Sequence, residues 1–356
     1  MTSKTILELS TQIMLSDYVT AIAWSPLGNL LAVGTGTGEV QVLKNFLDVP
    51  LCQPTGRSVD ALAFSPDGKW LATGGQEGNI TLWQMDGDIP KIVDTLECGS
   101  TWIDRLDWNP TCNHLAFNRG KSVQIWDADR IETVAMLAGV SNPQDIRWSP
   151  DGKYLAISFK NNIYIWGVHN WNAPLYQWEL TSPVSRIAWS PDALYLACAI
   201  YDHTIGVLEW SKAKDLQHEP IVENDLPIIM SGFPGKIRQL AWSDLPPTAN
   251  VPPMLAASTR ELVIMWMPMP EEWENWVLDL HSANVLDVAF QPNSIVLASL
   301  SEDGWIILSK AALEATQVLE GPEEGFSCLA WHPTGQHLAA GGQQGELFVW
   351  STCAAI

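Results

Sequence analysis

The stretch Ile22-Ala23-Trp24-Ser25-Pro26 returns seven more times along the chain in recognisable form. The copies are Leu62-Ala63-Phe64-Ser65-Pro66, Leu106-Asp107-Trp108-Asn109-Pro110, Ile146-Arg147-Trp148-Ser149-Pro150 and Ile187-Ala188-Trp189-Ser190-Pro191. Leu240-Ala241-Trp242-Ser243-Asp244, Val288-Ala289-Phe290-Gln291-Pro292 and Leu329-Ala330-Trp331-His332-Pro333 complete the set. The aromatic anchors at 24, 64, 108, 148, 189, 242, 290 and 331 are spaced by 40, 44, 40, 41, 53, 48 and 41 residues.

Each copy opens the same sequence of short segments. In the second, the turn Pro66-Asp67-Gly68-Lys69 follows the anchor, its Pro, Asp and Gly suited to a tight turn. An apolar run, Trp70 to Gly75, comes next, then a second Gly turn, Gln76-Glu77-Gly78-Asn79. The alternating Ile80-Thr81-Leu82-Trp83 and the run Ile92 to Leu96 complete four short strands. Third strands end at Trp83, Trp126, Trp166, Trp210, Trp266 and Trp350, with Leu43 and Leu308 in the other two units. Ala32, Ala72, Ala116, Ala156, Ala197, Ala256, Ala298 and Ala339 let the second strands approach closely. A single sheet of this kind cannot bury its own faces, so the sheets must stack in a closed ring. A period near 40 to 45 residues with this content predicts an all-β, eight-bladed β-propeller spanning 1–356 as one domain. Seven blades plus one irregular unit is the competing count. The last copy leaves only Ser351 to Ile356 after Trp350, too little for an outer strand. The expectation is that the N-terminal stretch Thr5-Ile6-Leu7-Glu8-Leu9 supplies it and closes the ring, removing an open sheet edge.

The Ala-Trp-Ser-Pro-Asp-Gly and Ile-x-x-Trp segments resemble the WD40 repeat family over essentially the whole chain. Trp126-Asp127 is the one Trp-Asp pair closing a third strand, and the family's Gly-His pair is absent, with His281 nearest to it. Asp202 and Asp303 look like the tight-turn acids of the family's hydrogen-bonded network. The resemblance implies a protein-interaction platform, in which the face carrying the central-channel loops often receives peptides.

No apolar run reaches the length of a membrane span, and the N-terminus shows no signal pattern. The six cysteines are scattered, which favours reduced thiols and a cytoplasmic setting. The net charge is −21, from 40 acidic and 19 basic residues, without a basic stripe. That disfavours nucleic acid and anionic lipid. It either serves solubility alone or favours a protein partner with a basic patch.

Departures from the repeat carry the functional signal. Trp171 falls in the connection Gly167 to Pro174, and Trp273 and Trp276 fall in Pro268 to Trp276. Long insertions run from Ser211 to Pro220 and from Asp244 to Pro253. All are first-to-second or third-to-fourth strand turns of blades 4 to 6, so they should share one face, where insertions often mark a binding surface. The expected partner site has Trp171, Trp273 and Trp276 as apolar anchors, Glu271, Glu272 and Glu274 for a basic contact, and Met269, Pro247 and Pro252 beside them. Extra packing against their own blades is the plainer role for these tryptophans. Trp102 and Trp305 mark a second candidate surface on the opposite face.

No catalytic motif is present: no Gly-x-Ser-x-Gly, no phosphate-binding Gly-Lys-Ser/Thr loop and no His-Glu-x-x-His. Gly34-Thr35-Gly36-Thr37-Gly38 precedes a strand rather than a helix, so it lacks the helix terminus that would hold phosphate. His332, His337 and Cys353 match no zinc spacing, and His114 and His337 occupy equivalent places before Leu-Ala. The sequence therefore predicts a non-catalytic scaffold without cofactor. The alternative is a small-ligand or metal-binding propeller using the central channel or the His/Cys group of the last blade.

Overall fold

The computed structural model describes residues 7–44, 47–87, 89–213, 227–246, 251–269, 272–310 and 314–352. Eight four-stranded antiparallel sheets form, each in sequence order except the last. Blade 2 is typical, with strands Val59–Phe64, Trp70–Gly75, Asn79–Gln84 and Lys91–Glu97. The first strands, Val19–Trp24, Val59–Phe64, Leu106–Trp108, Pro143–Trp148, Val184–Trp189, Ile237–Trp242, Val285–Phe290 and Phe326–Trp331, pack side by side around a pore. The eighth returns to the first, so the ring is closed. In the last blade the outer strand is Leu7–Met14, paired antiparallel with Glu346–Thr352 from Leu7 opposite Thr352 to Met14 opposite Glu346. Gln317 of blade 7 locks this strand by accepting from the Leu7 amide (2.9 Å) and donating to the Leu7 carbonyl (2.6 Å). Thr5 and Ile6 of the expected closing strand lie outside the described residues.

The repeated residues now have physical roles. All eight second-strand alanines are fully buried, and most pair directly with the residue before the anchor, as Ala32 does with Ala23 and Ala72 with Ala63. A larger side chain there would push the blades apart in an interior without voids. In five of the eight blades the anchor is a tryptophan that ties the blade to the one before it. Its indole N–H donates to the carbonyl of the residue preceding the previous anchor: Trp24 to Ala330 (3.1 Å), Trp108 to Ala63 (3.0 Å), Trp189 to Arg147 (3.2 Å), Trp242 to Ala188 (3.1 Å) and Trp331 to Ala289 (3.1 Å). Trp148 is the exception, its buried indole nitrogen having no partner among the described residues.

The residue after the anchor completes the joint. Where it is serine, its hydroxyl accepts from the amide that opens the next strand, as Ser65 does from Trp70 (3.0 Å) and Ser149 from Tyr154 (2.9 Å). Where it is longer, it crosses to the following blade. Asn109 donates to the Gly152 carbonyl (2.8 Å), Gln291 to the Gly335 carbonyl (2.8 Å), and His332 Nε2 lies 3.0 Å from the Gly28 carbonyl. Gly28 has φ of 73°, and a Cβ there would stand 1.9 Å from His332 Nε2, so this turn requires glycine twice over.

Two elements depart from the sequence expectation. Trp210 does not end a strand; the third strand of blade 5 stops at Glu209, and Trp210 begins a short helix, Trp210–Ala213. Its ring is 1% exposed, edge-on to Trp189, Tyr154 and Tyr176, so the chain turns in order to bury it. Trp273 and Trp276 belong to a strand, Trp273–Asp279, rather than to a connection.

Trp189→Phe and Trp148→Phe remove similar ring volume, but only the first breaks an inter-blade hydrogen bond. In urea or thermal unfolding, Trp189→Phe should cost about 1 kcal/mol more than Trp148→Phe.

Candidate functional site

Because the strands run strictly up and down, first-to-second and third-to-fourth turns emerge on one face of the wheel. On that face a groove opens between blades 5 and 6, lined by Pro191, Asp192, Leu245, Pro246, Val251 and Pro253. Its walls are the first-to-second turns of the two blades. Trp273 stiffens the seam beneath, edge-on to Tyr195 (5.6 Å) and Trp242 (6.2 Å), the residues bordering those turns.

The expected anchors therefore do not form one exposed aromatic patch. Trp171 is half-buried, edge-on to Trp148 at 6.0 Å in blade 4. Trp273 and Trp276 are three apart in one strand and so point to opposite sides of blade 6. Trp273 joins the core with blade 5, and Trp276 packs into the core shared with blade 7. Met269 is 40% exposed beside Glu272, and Glu272, Glu274 and Pro252 are exposed. Pro247, Glu271, most of the 211–220 insertion and Cys353 lie outside the described residues. On the opposite face Trp102 and Trp305 are 52% and 44% exposed, but they stand far round the ring from each other, in the blade 2 to 3 connection and in blade 7. The Trp102 indole hydrogen-bonds the Asp60 carboxylate.

The histidines have structural partners. His332 Nδ1 lies 2.8 Å from Thr334 Oγ1 and its Nε2 reaches Gly28, so both nitrogens are engaged within the joint between the last and first blades. His337 Nδ1 lies 2.7 Å from Ser351 Oγ, and His114 Nε2 lies 3.4 Å from Asp127, at equivalent register positions. His281 does make the network suggested by its place in the repeat. Its Nδ1 is 3.1 Å from Asp303 and its Nε2 is 2.8 Å from Ser299 Oγ. Burial lowers its pKa, with Asp303 opposing, so the neutral ring is favoured.

The sequence reading named the central channel only as the alternative site and missed its charged residues. Most first strands place alanine just before the anchor, but blades 3 and 4 place Asp107 and Arg147 there. Two positions earlier stand Arg105, Asp145, Arg186, Gln239 and Asp287. These side chains bind the hub. Asp145 accepts from the Ile187 amide of the next blade (3.0 Å) and lies 3.7 Å from Arg105 Nε and 3.6 Å from an Arg147 nitrogen. Asp107 accepts from the Trp148 amide (2.7 Å), and Asp287 from the Leu329 amide (3.1 Å) and from Gln239 (3.1 Å). Loss of water pushes the Asp107 carboxyl up to about 6, while Arg147 and the Trp148 amide pull the other way and Asp145 adds to the rise. The signal available in the sequence was a charge where the repeat calls for alanine.

A family model described as WD domain, G-beta repeat matches residues 50–84, 274–308 and 313–351. Each match takes in the outer strand of one blade, in whole or in part, and ends in the third strand of the next, so the sequence repeat is out of phase with the blade. That offset is what leaves the first outer strand free to close the last blade. The chain therefore carries WD40 repeats at three positions within an eight-bladed β-propeller, a family typically used to hold other proteins. No curated protein matches the chain. No helix among the described residues is long and apolar enough to cross a membrane.

Asp107 binds its proton near pH 6 when folded and near 4 when unfolded, so its raised pKa favours folding below about 4, and that contribution is lost as pH rises through about 6. Asp107→Asn keeps the acceptor for Trp148 without the buried charge. Its stability relative to the parent should therefore rise between pH 4 and 7.5, by up to about 3 kcal/mol, in paired thermal melts across that range.

Proposed function

We propose that the protein is a non-catalytic scaffold whose partner-binding surface is the turn face of blades 4 to 6. The carrying observation is the proline-lined groove between blades 5 and 6. Pro191, Pro246 and Pro253 hold its walls in fixed backbone geometry, so little entropy is lost when a partner is seated. Val251, Leu194 and Met269 are exposed apolar groups on the same face. Glu272 and Glu274 flank Trp273, suiting a partner with basic residues, in keeping with the net charge of −21. Trp171, Trp273 and Trp276, all half-buried, serve this surface by fixing the turns from below.

That division of labour separates two kinds of variant. Trp273→Ala removes a ring from the seam and should cost about 2–4 kcal/mol of stability, read as a fall in melting temperature. Val251→Asp and Met269→Asp alter exposed positions and should leave the melting temperature within a few degrees of the parent. In affinity purification from the native cell, the principal co-purifying protein should be lost or strongly reduced with either exposed-site variant. Undiminished recovery with both would remove this face from consideration. Glu272→Lys combined with Glu274→Lys should weaken recovery most at low ionic strength.

A further inference from the structure

On the opposite face a second pocket opens at the mouth of the pore. Residues at the start of five successive first strands line it, from Arg105 in blade 3 to Leu286 in blade 7, so it lies over the channel rather than at the rim. Arg105, Arg186, Lys236 and Arg238 all contribute to it. Four of the chain's 19 basic residues thus converge on one opening whose lining, among the described residues, includes no acidic one.

Arg186, Lys236 and Arg238 make no ion pair among the described residues, whereas Arg105 is paired with Asp104 (3.4 Å) and Asp145 (3.7 Å). The Arg186 guanidinium donates to the Ser185 carbonyl (3.2 Å). The Lys236 ammonium stands 4.9 Å over the Tyr201 ring, which leaves its hydrogens free to donate elsewhere. Arg238 is exposed and makes no ion pair among the described residues. Two further acids nearby are committed to the hub: Asp145 to Arg105, Arg147 and backbone amides, and Asp287 to Gln239 and backbone amides. Burial, and then the neighbouring Arg105, hold the Arg186 guanidinium below its ordinary pKa, with Asp145 opposing.

The geometry points to a binding site at this pore mouth for a small, multiply charged oxyanion of the phosphate type, held chiefly by Arg186 and Arg238 with Lys236 and Arg105 beside them. Guanidinium forks pair bidentately with phosphate oxygens, and a lysine adds a mobile point charge. A compact ligand fits better than an acidic chain. The surrounding turns carry Glu77, Asp202, Glu302, Glu323 and Glu324. An extended polyanion would have to lie across these, whereas a small ion inside the pocket need not.

The test is isothermal titration calorimetry and thermal shift with pyrophosphate, using sulfate at equal ionic strength as the control for general salt stabilisation. The variants are Arg186→Gln and the exposed Arg238→Gln. Saturable pyrophosphate binding that weakens at least about tenfold in Arg238→Gln, and falls as salt is raised, supports the site. If Arg186→Gln fails to fold, Arg238→Gln and Lys236→Gln decide the matter alone. No binding by the parent protein overturns the site, as does binding that survives in the exposed variants or a stabilisation that sulfate reproduces equally. Val251→Asp and Met269→Asp should bind pyrophosphate like the parent, so failure of the groove and failure of this pocket are distinguishable.

Discussion

The joint between neighbouring blades is the interaction on which this wheel depends. A blade is a small sheet with apolar side chains on both faces, and neither face is buried until a neighbour arrives. Many joints couple that burial to directional bonds: in five an anchor indole to a carbonyl of the preceding blade, and in three an Asn, Gln or His to the turn of the following one. Hydrogen bonds of this kind contribute about 1 kcal/mol each, less than the apolar burial around them. Their importance is geometric, because a non-directional contact would let blades slide, whereas an indole aimed at one carbonyl fixes the angle at which a ring of eight can close.

Closure places several ties at the last joint. The seam between blades 8 and 1 has the Trp24 indole on Ala330, His332 on Gly28, and the Ser327 hydroxyl donating to the Val19 carbonyl at 2.6 Å. The Leu7–Met14 strand then completes blade 8 from the other end of the chain. A closed ring cannot relieve a poor fit at one joint without disturbing the others. Metal-like clustering of His332 and His337 is better understood in this light, as packing and hydrogen bonding at the point of closure.

Much of this architecture was legible because its causes are local. Strand alternation, an aromatic anchor and a buried alanine opposite the residue before it recur in every unit, so the blade count and the closing strand could be read directly. The candidate surface was less legible. Pro268 and Pro270 suggested a connection around Trp273, yet Trp273-Glu274-Asn275-Trp276-Val277-Leu278-Asp279 continues as a strand, and an odd spacing then sends the two rings to opposite cores. The charged lining of the pore was not legible because its residues come from different blades, one to two repeats apart in sequence. Only the ring brings Arg105, Arg186 and Arg238 together. Substitutions within the regular positions of a repeat deserve the same scrutiny as insertions between them.

The two faces of the wheel are therefore chemically unlike. One presents prolines and exposed aliphatic side chains over a seam stiffened by tryptophan. The other gathers cations over the pore of a strongly acidic protein. The hub joins them, because Asp145 serves both as acceptor for the backbone of blade 5 and as counter-charge to Arg105 and Arg147. Placing charge in the hub costs desolvation, visible in the raised pKa of Asp107 and Asp287. Alanine fills the corresponding places in other blades without that cost, so stability alone does not account for the charges. A pore mouth that must attract an anion does account for the arginines above, and the aspartates below then hold those arginines in place without neutralising the outermost of them.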